Sequence, residues 1–190
     1  MGVMPDWMIR ELSHDSKTQL ITPFSERVDG KKVISYGLQP AGYDLRLDPR
    51  FEVIDWAKNA GAILDPLRPP TADFRFKIEA EDHYIFPPRA CIIGWTTERI
   101  RVPRNYIVRG VGKQTYSECG VNVVVASVHP GWEGNLRIHI ANSSTVPITI
   151  YVNMGIVYIE FHKTEEEVEQ DYSQLKYPRF QGHGPTGQAA

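Results

Sequence analysis

Short runs of apolar residues, most with alternating apolar and polar positions, recur along most of this chain. Residues 43–47 (YDLRL) place apolar side chains at every second position, which is the two-residue period of a β-strand. Apolar runs of similar length predict further strands at residues 33–36, 51–54, 91–96, 106–111, 121–128, 136–140, 148–152 and 156–161. Many short strands with little helix predict an all-β sandwich or barrel.

Three segments depart from the strand pattern. Residues 6–12 (DWMIREL) follow a proline and predict a short amphipathic helix with Asp6 as its N-cap. Residues 57–73 contain several prolines and predict an irregular loop. Residues 177–190 are rich in glycine and proline and poor in apolar residues. The chain is therefore predicted to have one domain over residues 1–176 and a flexible C-terminal tail over residues 177–190.

Composition limits which cellular compartment and which binding partners are expected. The formal net charge of the 190 residues is -2 at pH 7, which gives no electrostatic reason to expect binding to nucleic acid or to an anionic membrane. The two cysteines, Cys91 and Cys119, form no Cys-x-x-Cys pair, so a disulfide framework is not expected. No apolar run approaches the roughly 20 residues of a membrane span, and residues 1–10 lack the pattern of a signal peptide. These features predict a cytoplasmic protein.

Two segments carry the most specific pattern: residues 112–120 (GKQTYSECG) and residues 129–142 (HPGWEGNLRIHIAN). They resemble the nucleotide-site segments of the dCTP deaminases, a branch of the trimeric dUTPase superfamily. Other segments resemble the same family in the same order, namely residues 7–10 (WMIR), 34–38 (ISYGL), 42–47 (GYDLRL), 147–156 (PITIYVNMGI) and 176–182 (KYPRFQG). Because order and spacing agree over nearly the whole chain, the sequence is identified as a member of this family.

The resemblance implies a fold, an assembly and a cofactor. The fold is a distorted jelly-roll β-barrel of the dUTPase/dCTP deaminase type, with a short N-terminal helix and a C-terminal tail that closes over bound nucleotide. The assembly is a homotrimer with three deoxyribonucleotide sites between subunits. Mg²⁺ is expected to be held by the substrate phosphates, with no zinc and no metal-ligating residue of the protein. The zinc-deaminase signature His-x-Glu…Pro-Cys-x-x-Cys does not occur in the sequence.

Three positions depart from the family where the chemistry is expected. Gln114 stands in place of a Ser, Glu118 in place of an Arg, and His139 in place of the Glu that transfers protons in the family. Hydrolytic deamination at C4 of cytosine needs a base for the water, an acid for ring N3 and stabilisation of the tetrahedral centre. These three residues are therefore the candidate catalytic residues.

Each candidate catalytic residue has an alternative interpretation. His139 is either a base that works near pH 7 or a ligand contact in a site that no longer deaminates. Glu118 is either a relocated base or one half of a structural ion pair with Lys113 or Arg137. Gln114 either recognises a base edge or bonds within a turn.

Further residues are expected to bind the substrate. Lys113 keeps the basic position of the family and is expected to contact phosphate, with a solvated surface lysine as the alternative. His129 replaces an acid that contacts the sugar, and an imidazole can still bond a 3′-hydroxyl. Lys176 is the tail residue best suited to a phosphate, and Phe180 either stacks on a base or packs. The remaining candidates occupy matched or neighbouring positions: Thr115, Tyr116, Ser117, Arg137, Ile138, Tyr172 and Gln181.

Three functions are compatible with these residues. The first is a hydrolase that deaminates a cytosine or modified-cytosine deoxynucleotide, with a substrate shifted by the change at His139. The second is triphosphate hydrolysis of the dUTPase type, and the third is a non-catalytic nucleotide-binding trimer. Changes at three contact positions with a basic Lys113 retained favour a retargeted site over a decayed one.

Overall fold

The computed structural model describes residues 2–55, 63, 65, 67, 75–176, 181, 182 and 184. About half of these residues lie in strands and few lie in helices, so the all-β prediction is confirmed. The helices are α1 (Asp6–His14), α2 (Gln114–Glu118) and a 3-10 helix (Tyr172–Gln174). The strands are β1 (Ile21–Thr22), β2 (Val28–Gly30), β3 (Val33–Gln39), β4 (Gly42–Arg46), β5 (Arg50–Ile54), β6 (Arg75–Glu79), β7 (His83–Phe86), β8 (Cys91–Arg101), β9 (Tyr106–Gly112), β10 (Val121–Val124), β11 (Glu133–Asn142), β12 (Ile148–Tyr151) and β13 (Gly155–Lys163).

The strands form two large antiparallel sheets and a small one. The first large sheet has the order β10-β11-β8-β5-β6, and β1 also pairs with β8. The second has the order β2-β3-β4-β13-β9, and the small sheet pairs β12 with β7. Buried side chains from both large sheets, among them Leu45, Ile92, Ile138 and Ile159, form one hydrophobic cluster. Burial of each such side chain contributes about 1.5–3 kcal/mol, so this shared core holds the two sheets together.

A buried ion pair crosses this core between β4 and β8. The Arg46 Nε atom lies 2.6 Å from a carboxylate oxygen of Glu98, and the backbone N–H of Arg46 donates to the other oxygen at 2.8 Å. Burial raises the pKa of the Glu98 carboxyl, and its bonds to Arg46 oppose that rise. Because a buried charge is costly unless it is paired, this contact fixes how the two strands cross.

Two predicted boundaries are corrected by the structure. The N-cap of α1 is Pro5, which is extended and makes no side-chain cap bond, and Asp6 is the first helical residue. The strand predicted at residues 121–128 ends at Val124, because Val128 exchanges backbone hydrogen bonds with Val108 of β9 at 2.8 and 2.9 Å. Residues 125–128 therefore cross from the first sheet to the second, and this crossing shapes the site described below.

Some elements were not predicted, and some predictions stay open. Helix α2 and strands β1 and β2 are too short for a periodic pattern to reveal them. The loop predicted at residues 57–73 falls almost entirely outside the described residues, and the boundary at residue 176 between domain and tail remains a prediction. Within the described ranges, no helix has the length and apolar character needed to cross a membrane.

Candidate functional site

Strand β11 carries His139, one of the three candidate catalytic residues. Its neighbours are β8 on one side and β10 on the other, and its side chains alternate between two faces. The apolar residues Leu136, Ile138 and Ile140 are at most 4% exposed and lie in the core. His139 and Arg137 lie on the opposite face, as the strand period predicts.

This face lines a cleft of about 620 Å³, called the strand cleft below. Its walls are residues 124–129, residues 135–139 of β11, and the side chains of Arg75, Ile93, Trp132 and Tyr172. The predicted site residues His129, Arg137, Ile138, His139 and Tyr172 all belong to this cleft. Its volume lies within the range of about 300–1,000 Å³ that is usual for small-molecule sites.

The strand cleft has basic residues and no acidic one among its described lining residues. Burial lowers the pKa of Arg137, and the nearby Arg75 lowers it further, while Glu52 acts in the opposite direction. Burial also lowers the pKa of His139, and the positive charge of Arg137 adds to that effect. Since the ordinary histidine pKa is about 6.5, His139 is neutral at pH 7.

The ring of His139 packs against a cysteine of the neighbouring strand. The Cys91 Sγ atom lies 2.9 Å from the His139 Nε2 atom and 3.9 Å from Nδ1. Cys91 is buried, and burial raises the pKa of its thiol. The thiol and the imidazole are therefore both neutral at pH 7, and the contact positions the ring at the wall of the cleft.

Replacing Arg137 by methionine should raise the pKa of His139, because the substitution removes a neighbouring positive charge that disfavours the imidazolium. The value should stay below that of an exposed histidine, since burial is the larger cause of the shift. Titration of the His139 ring protons by NMR measures this change. The control is Arg109→Met, which removes an exposed arginine of β9. An unchanged or lower pKa in Arg137→Met would contradict the expectation.

The start of the C-terminal segment docks at the rim of the strand cleft. The Tyr172 ring stacks on the His129 ring with 6° between their planes, and the Tyr172 N–H donates to the Pro130 carbonyl at 2.8 Å. Gly131 has a φ of 76°, and a Cβ there would lie 2.6 Å from the Asp171 carboxyl carbon. Only glycine suits that position, so the turn and the segment fit closely together.

Two tail residues continue along the same rim. The Gln181 side-chain amide donates to the Gly131 carbonyl at 3.3 Å, and the Gly182 N–H donates to the Glu133 carbonyl at 2.9 Å. Lys176 is exposed. Phe180 lies outside the described residues, so its predicted contact stays a prediction.

The other group of predicted residues lies at a second cleft of about 600 Å³, called the helix cleft below. It is lined by Lys113, Gln114 and Thr115 at the start of α2, by residues 39–41, and by Asp44, Tyr158 and the end of β9. The described linings of the two clefts share no residue. The chain therefore does not bring all the predicted residues together in one cleft.

Lys113 is bound within its own subunit. Its Nζ atom donates to an Asp44 carboxylate oxygen at 2.7 Å and to the Ser35 hydroxyl at 3.0 Å. Asp44 is buried; burial raises its pKa, and Lys113 opposes the rise. The solvated-lysine alternative does not describe Lys113, whose side chain is 14% exposed. Its expected contact with phosphate remains a prediction.

Glu118 has a partner other than the two expected from the sequence. The Gln114 side-chain amide donates to the Glu118 carboxylate at 3.1 Å, one helical turn away on α2, and both residues are exposed. An ion pair of Glu118 with Lys113 or Arg137 is therefore not what the structure contains.

The other candidate residues of α2 differ in burial: one lies in the core and two lie on the surface. Tyr116 is 3% exposed, and its hydroxyl accepts the backbone N–H of Tyr151 at 3.0 Å. Burial raises the pKa of Tyr116 to about 12. Its side chain belongs to the core, which corrects the expectation of a side-chain contact with substrate. Thr115 and Ser117 are exposed.

Several residues of the strand cleft were not predicted from sequence. Arg75 and Asn135 line this cleft, and Cys91 contacts His139 from the neighbouring strand. They come together because β6, β8 and β11 belong to the same sheet, and the order of strands is not visible in local patterns. In the part of the chain that the structure describes, no group of three or more His, Cys, Asp or Glu residues is placed to hold a metal ion.

Comparison with known proteins shows to which family the chain belongs. The family model described as dCTP deaminase-like matches residues 3–164. The chain belongs to the dCTP deaminase-like family. A dCTP deaminase of Wolbachia sp. subsp. Drosophila simulans (strain wRi) is 37% identical to this chain over 186 residues, which is 98% of the chain and 97% of the relative. A dCTP deaminase of Helicobacter pylori (strain P12) is 34% identical over 173 residues, or 90% of the chain and 89% of the relative.

The fold agrees with this membership. The chain is similar to the crystal structure of 2′-deoxycytidine 5′-triphosphate deaminase from Agrobacterium tumefaciens, with a TM-score of 0.63 and 16% sequence identity. The match covers 85% of this chain and 49% of that one. The protein therefore has the distorted jelly-roll barrel of the dCTP deaminase-like family, as the resemblance of its motifs implies.

Proposed function

We propose that the protein is a deoxyribonucleotide hydrolase of the dCTP deaminase type, which removes the exocyclic amine of a cytosine or modified-cytosine deoxynucleotide in the cytoplasm. The observation that carries the proposal is the place of His139. It lines a cleft of about 620 Å³ from strand β11, and the resemblance of the motifs matches it with the family's proton-transfer Glu. The curated relatives named dCTP deaminase support the substrate class.

In this proposal the neutral imidazole of His139 performs the proton transfer. Its lowered pKa keeps the imidazole unprotonated at pH 7, so the ring can accept a proton. The water that attacks C4 gives a proton to the imidazole, and the imidazolium passes that proton to ring N3. The hydroxyl proton of the tetrahedral centre then moves to the exocyclic amine, which leaves as ammonia while the C4 carbonyl forms. A donor aimed at the tetrahedral centre would lower the barrier further, and Gln114 of a neighbouring subunit is the candidate. Glu118 is the alternative base.

The proposed site joins the two clefts of neighbouring subunits in a homotrimer. In one subunit, the α2 residues and the β11 residues line separate clefts. A closed trimer would let α2 of one subunit face the strand cleft of the next, and closed cyclic symmetry is the common outcome for such interfaces. Val124 at the strand cleft and Val111 at the helix cleft are each 61% exposed, which supports burial of both rims.

Light scattering of the purified protein tests the assembly. We expect the mass of three chains at micromolar concentration. A monomer under those conditions would contradict a site that is shared between subunits.

The triphosphate end of the ligand is assigned to Lys113, Lys176 and Gln181. Mg²⁺ is proposed to enter with the substrate, because phosphate oxygens are the hard ligands that this ion prefers. The basic side chains of the protein would then neutralise the phosphate charge that Mg²⁺ does not. Lys113 would exchange its bond to Asp44 for one to phosphate, and the tail would close over the nucleotide.

A screen of deoxynucleoside triphosphates and monophosphates tests the function. Common and modified bases are each incubated with the protein and Mg²⁺, and ammonia, pyrophosphate and binding are measured together. We expect ammonia from a cytosine or modified-cytosine nucleotide. Pyrophosphate without ammonia would indicate triphosphate hydrolysis of the dUTPase type and would reject the proposal.

Binding without either product would favour a non-catalytic nucleotide-binding trimer. One observation favours this second candidate: the described lining of the strand cleft contains no carboxylate that could replace the family's Glu. A rate that depends on His139 separates the two candidates.

Replacing Lys113 by alanine should weaken triphosphate binding by about 1.5–3 kcal/mol, the range for a hydrogen bond to a charged group. Nucleoside binding should change less, because it lacks the phosphates. Calorimetry with a triphosphate and its nucleoside measures the difference. Lys31→Ala is the matched control, since Lys31 is an exposed lysine. Equal losses of binding free energy for both ligands would show that the substitution acts through Asp44, which loses its buried partner.

A further inference from the structure

The strand cleft contains a cation without a described partner. Arg137 is half-buried, and no carboxylate or carbonyl among the described residues accepts a hydrogen bond from its guanidinium. Arg75 lies close enough to affect it, and Arg75 itself is bound to Glu52 at 3.1 Å. Among the described residues, two arginines and one glutamate leave one positive charge unbalanced at this end of the cleft.

A second buried group, on the neighbouring strand, offers a hydrogen bond. Trp95 of β8 is the direct cross-strand partner of Arg137, so both side chains lie on the same face of the sheet. Trp95 is 8% exposed, and its indole N–H is buried with no hydrogen-bond partner among the described residues. Buried polar groups are normally bonded. Both groups are donors, and neither can accept a hydrogen bond.

The position of these donors relative to His139 decides what they recognise. Arg137 and His139 are two residues apart on one strand face, which corresponds to about 6.6 Å along the strand. If His139 acts at C4 of a pyrimidine, a group attached to the ring beside C4 comes within reach of the Arg137 guanidinium. The triphosphate is assigned to Lys113 and the tail instead.

We propose that Arg137, with Arg75 and the Trp95 indole, forms a subsite for an anionic, acceptor-only group on the base of the ligand. The substrate class is then a cytosine deoxynucleotide with a carboxylate on carbon 5, rather than unmodified dCTP. This inference rests on the proposed function, because it places the base at His139. Arg137 is a specificity-determining residue in this assignment.

The test measures binding rather than turnover. Calorimetry compares the Kd values of 5-carboxy-dCTP and dCTP for the wild-type protein in the presence of Mg²⁺. We expect 5-carboxy-dCTP to bind at least about tenfold more tightly, the lower end for a charge-assisted hydrogen bond. Arg137→Met and Arg137→Gln should bring the ratio of the two Kd values close to one. Arg137→Lys should keep part of the preference, since it keeps the charge.

The control is Arg109→Met, which removes an exposed arginine outside both clefts and should leave the ratio unchanged. Equal Kd values for the two nucleotides in the wild-type protein would overturn the subsite. A preference that survives in Arg137→Met would also overturn it. Equal weakening of both nucleotides in that variant would assign Arg137 to the phosphates and reject the proposal.

The outcomes separate this inference from the proposed function. Ammonia release from dCTP together with equal Kd values would reject the subsite and keep the deaminase. A preference for 5-carboxy-dCTP that depends on Arg137, without ammonia release from either nucleotide, would keep the subsite and reject the deaminase. Absence of binding by every nucleotide would reject both.

Discussion

Replacing His139 by alanine should lower turnover of the preferred nucleotide by about 10²–10⁴, the usual contribution of a general acid–base group. The reason is positional: His139 lies at the wall of the strand cleft, and its lowered pKa keeps it neutral at pH 7. Nucleotide affinity should change far less, because the phosphate contacts remain. Steady-state kinetics and calorimetry on the same preparation measure the two effects.

The matched control for this variant is His83→Ala. His83 is an exposed histidine on β7 that bonds to Asp82 and lies outside both clefts. Its loss should leave turnover unchanged. A wild-type rate in His139→Ala would remove His139 from the chemistry and direct attention to Glu118.

The substitution His139→Glu tests whether the family residue alone is enough for deamination. His139→Glu restores the family residue, yet Gln114 and Glu118 still differ from the family, so dCTP deamination need not return. In a trimer that brings Glu118 near position 139, two carboxylates would repel and one pKa would rise.

Replacing Glu98 by alanine should lower the free energy of unfolding by about 3–5 kcal/mol, the usual cost when one partner of a buried ion pair is removed. Glu98 is fully buried and accepts from both the side chain and the backbone of Arg46. Its removal leaves a guanidinium in the core with no carboxylate. Denaturant unfolding at a fixed protein concentration measures the change.

Two variants make this prediction specific. Glu26→Ala removes one partner of the exposed Arg10–Glu26 pair, which should have little effect on stability because exposed pairs contribute little. The double variant Arg46→Met, Glu98→Leu removes both charges and should recover much of the loss. A Glu98→Ala variant that is as stable as the wild type would show that the pair does not fix the crossing of β4 and β8.

The strand pattern predicts much of the fold because alternation is a local property. In residues 136–140 the two-residue period alone assigns His139 to one face and Ile138 to the other, and the structure agrees. The limits appear where local signal is weak. The predicted strand at residues 121–128 ends early because Val128 pairs with Val108, a contact that depends on the other sheet.

The candidate site could be predicted in part for the same reason. The motif spacing identifies residues 113–118 and 129–139. Residues 113–115 of the first group line the helix cleft, and residues 129, 132 and 135–139 of the second line the strand cleft. The motif spacing could not reveal that Tyr116 of α2 points into the core, because the partner of the Tyr116 hydroxyl is the backbone of Tyr151 on β12. Nor could it reveal Cys91 beside His139, since that contact requires β8 and β11 to be neighbours.

The amino-acid sequence by itself determined the all-β class and the family, and it proposed Gln114, Glu118 and His139 as the candidate catalytic residues. These follow from residue periodicity and motif spacing, which are properties of the chain read in order. Only the tertiary structure decided that Lys113 bonds to Asp44, that Glu118 bonds to Gln114, and that two separate clefts divide the motif residues. The physical reason is that strand order and register bring distant residues together: Arg75 and Glu52 influence Arg137 only because β5, β6, β8 and β11 belong to one sheet.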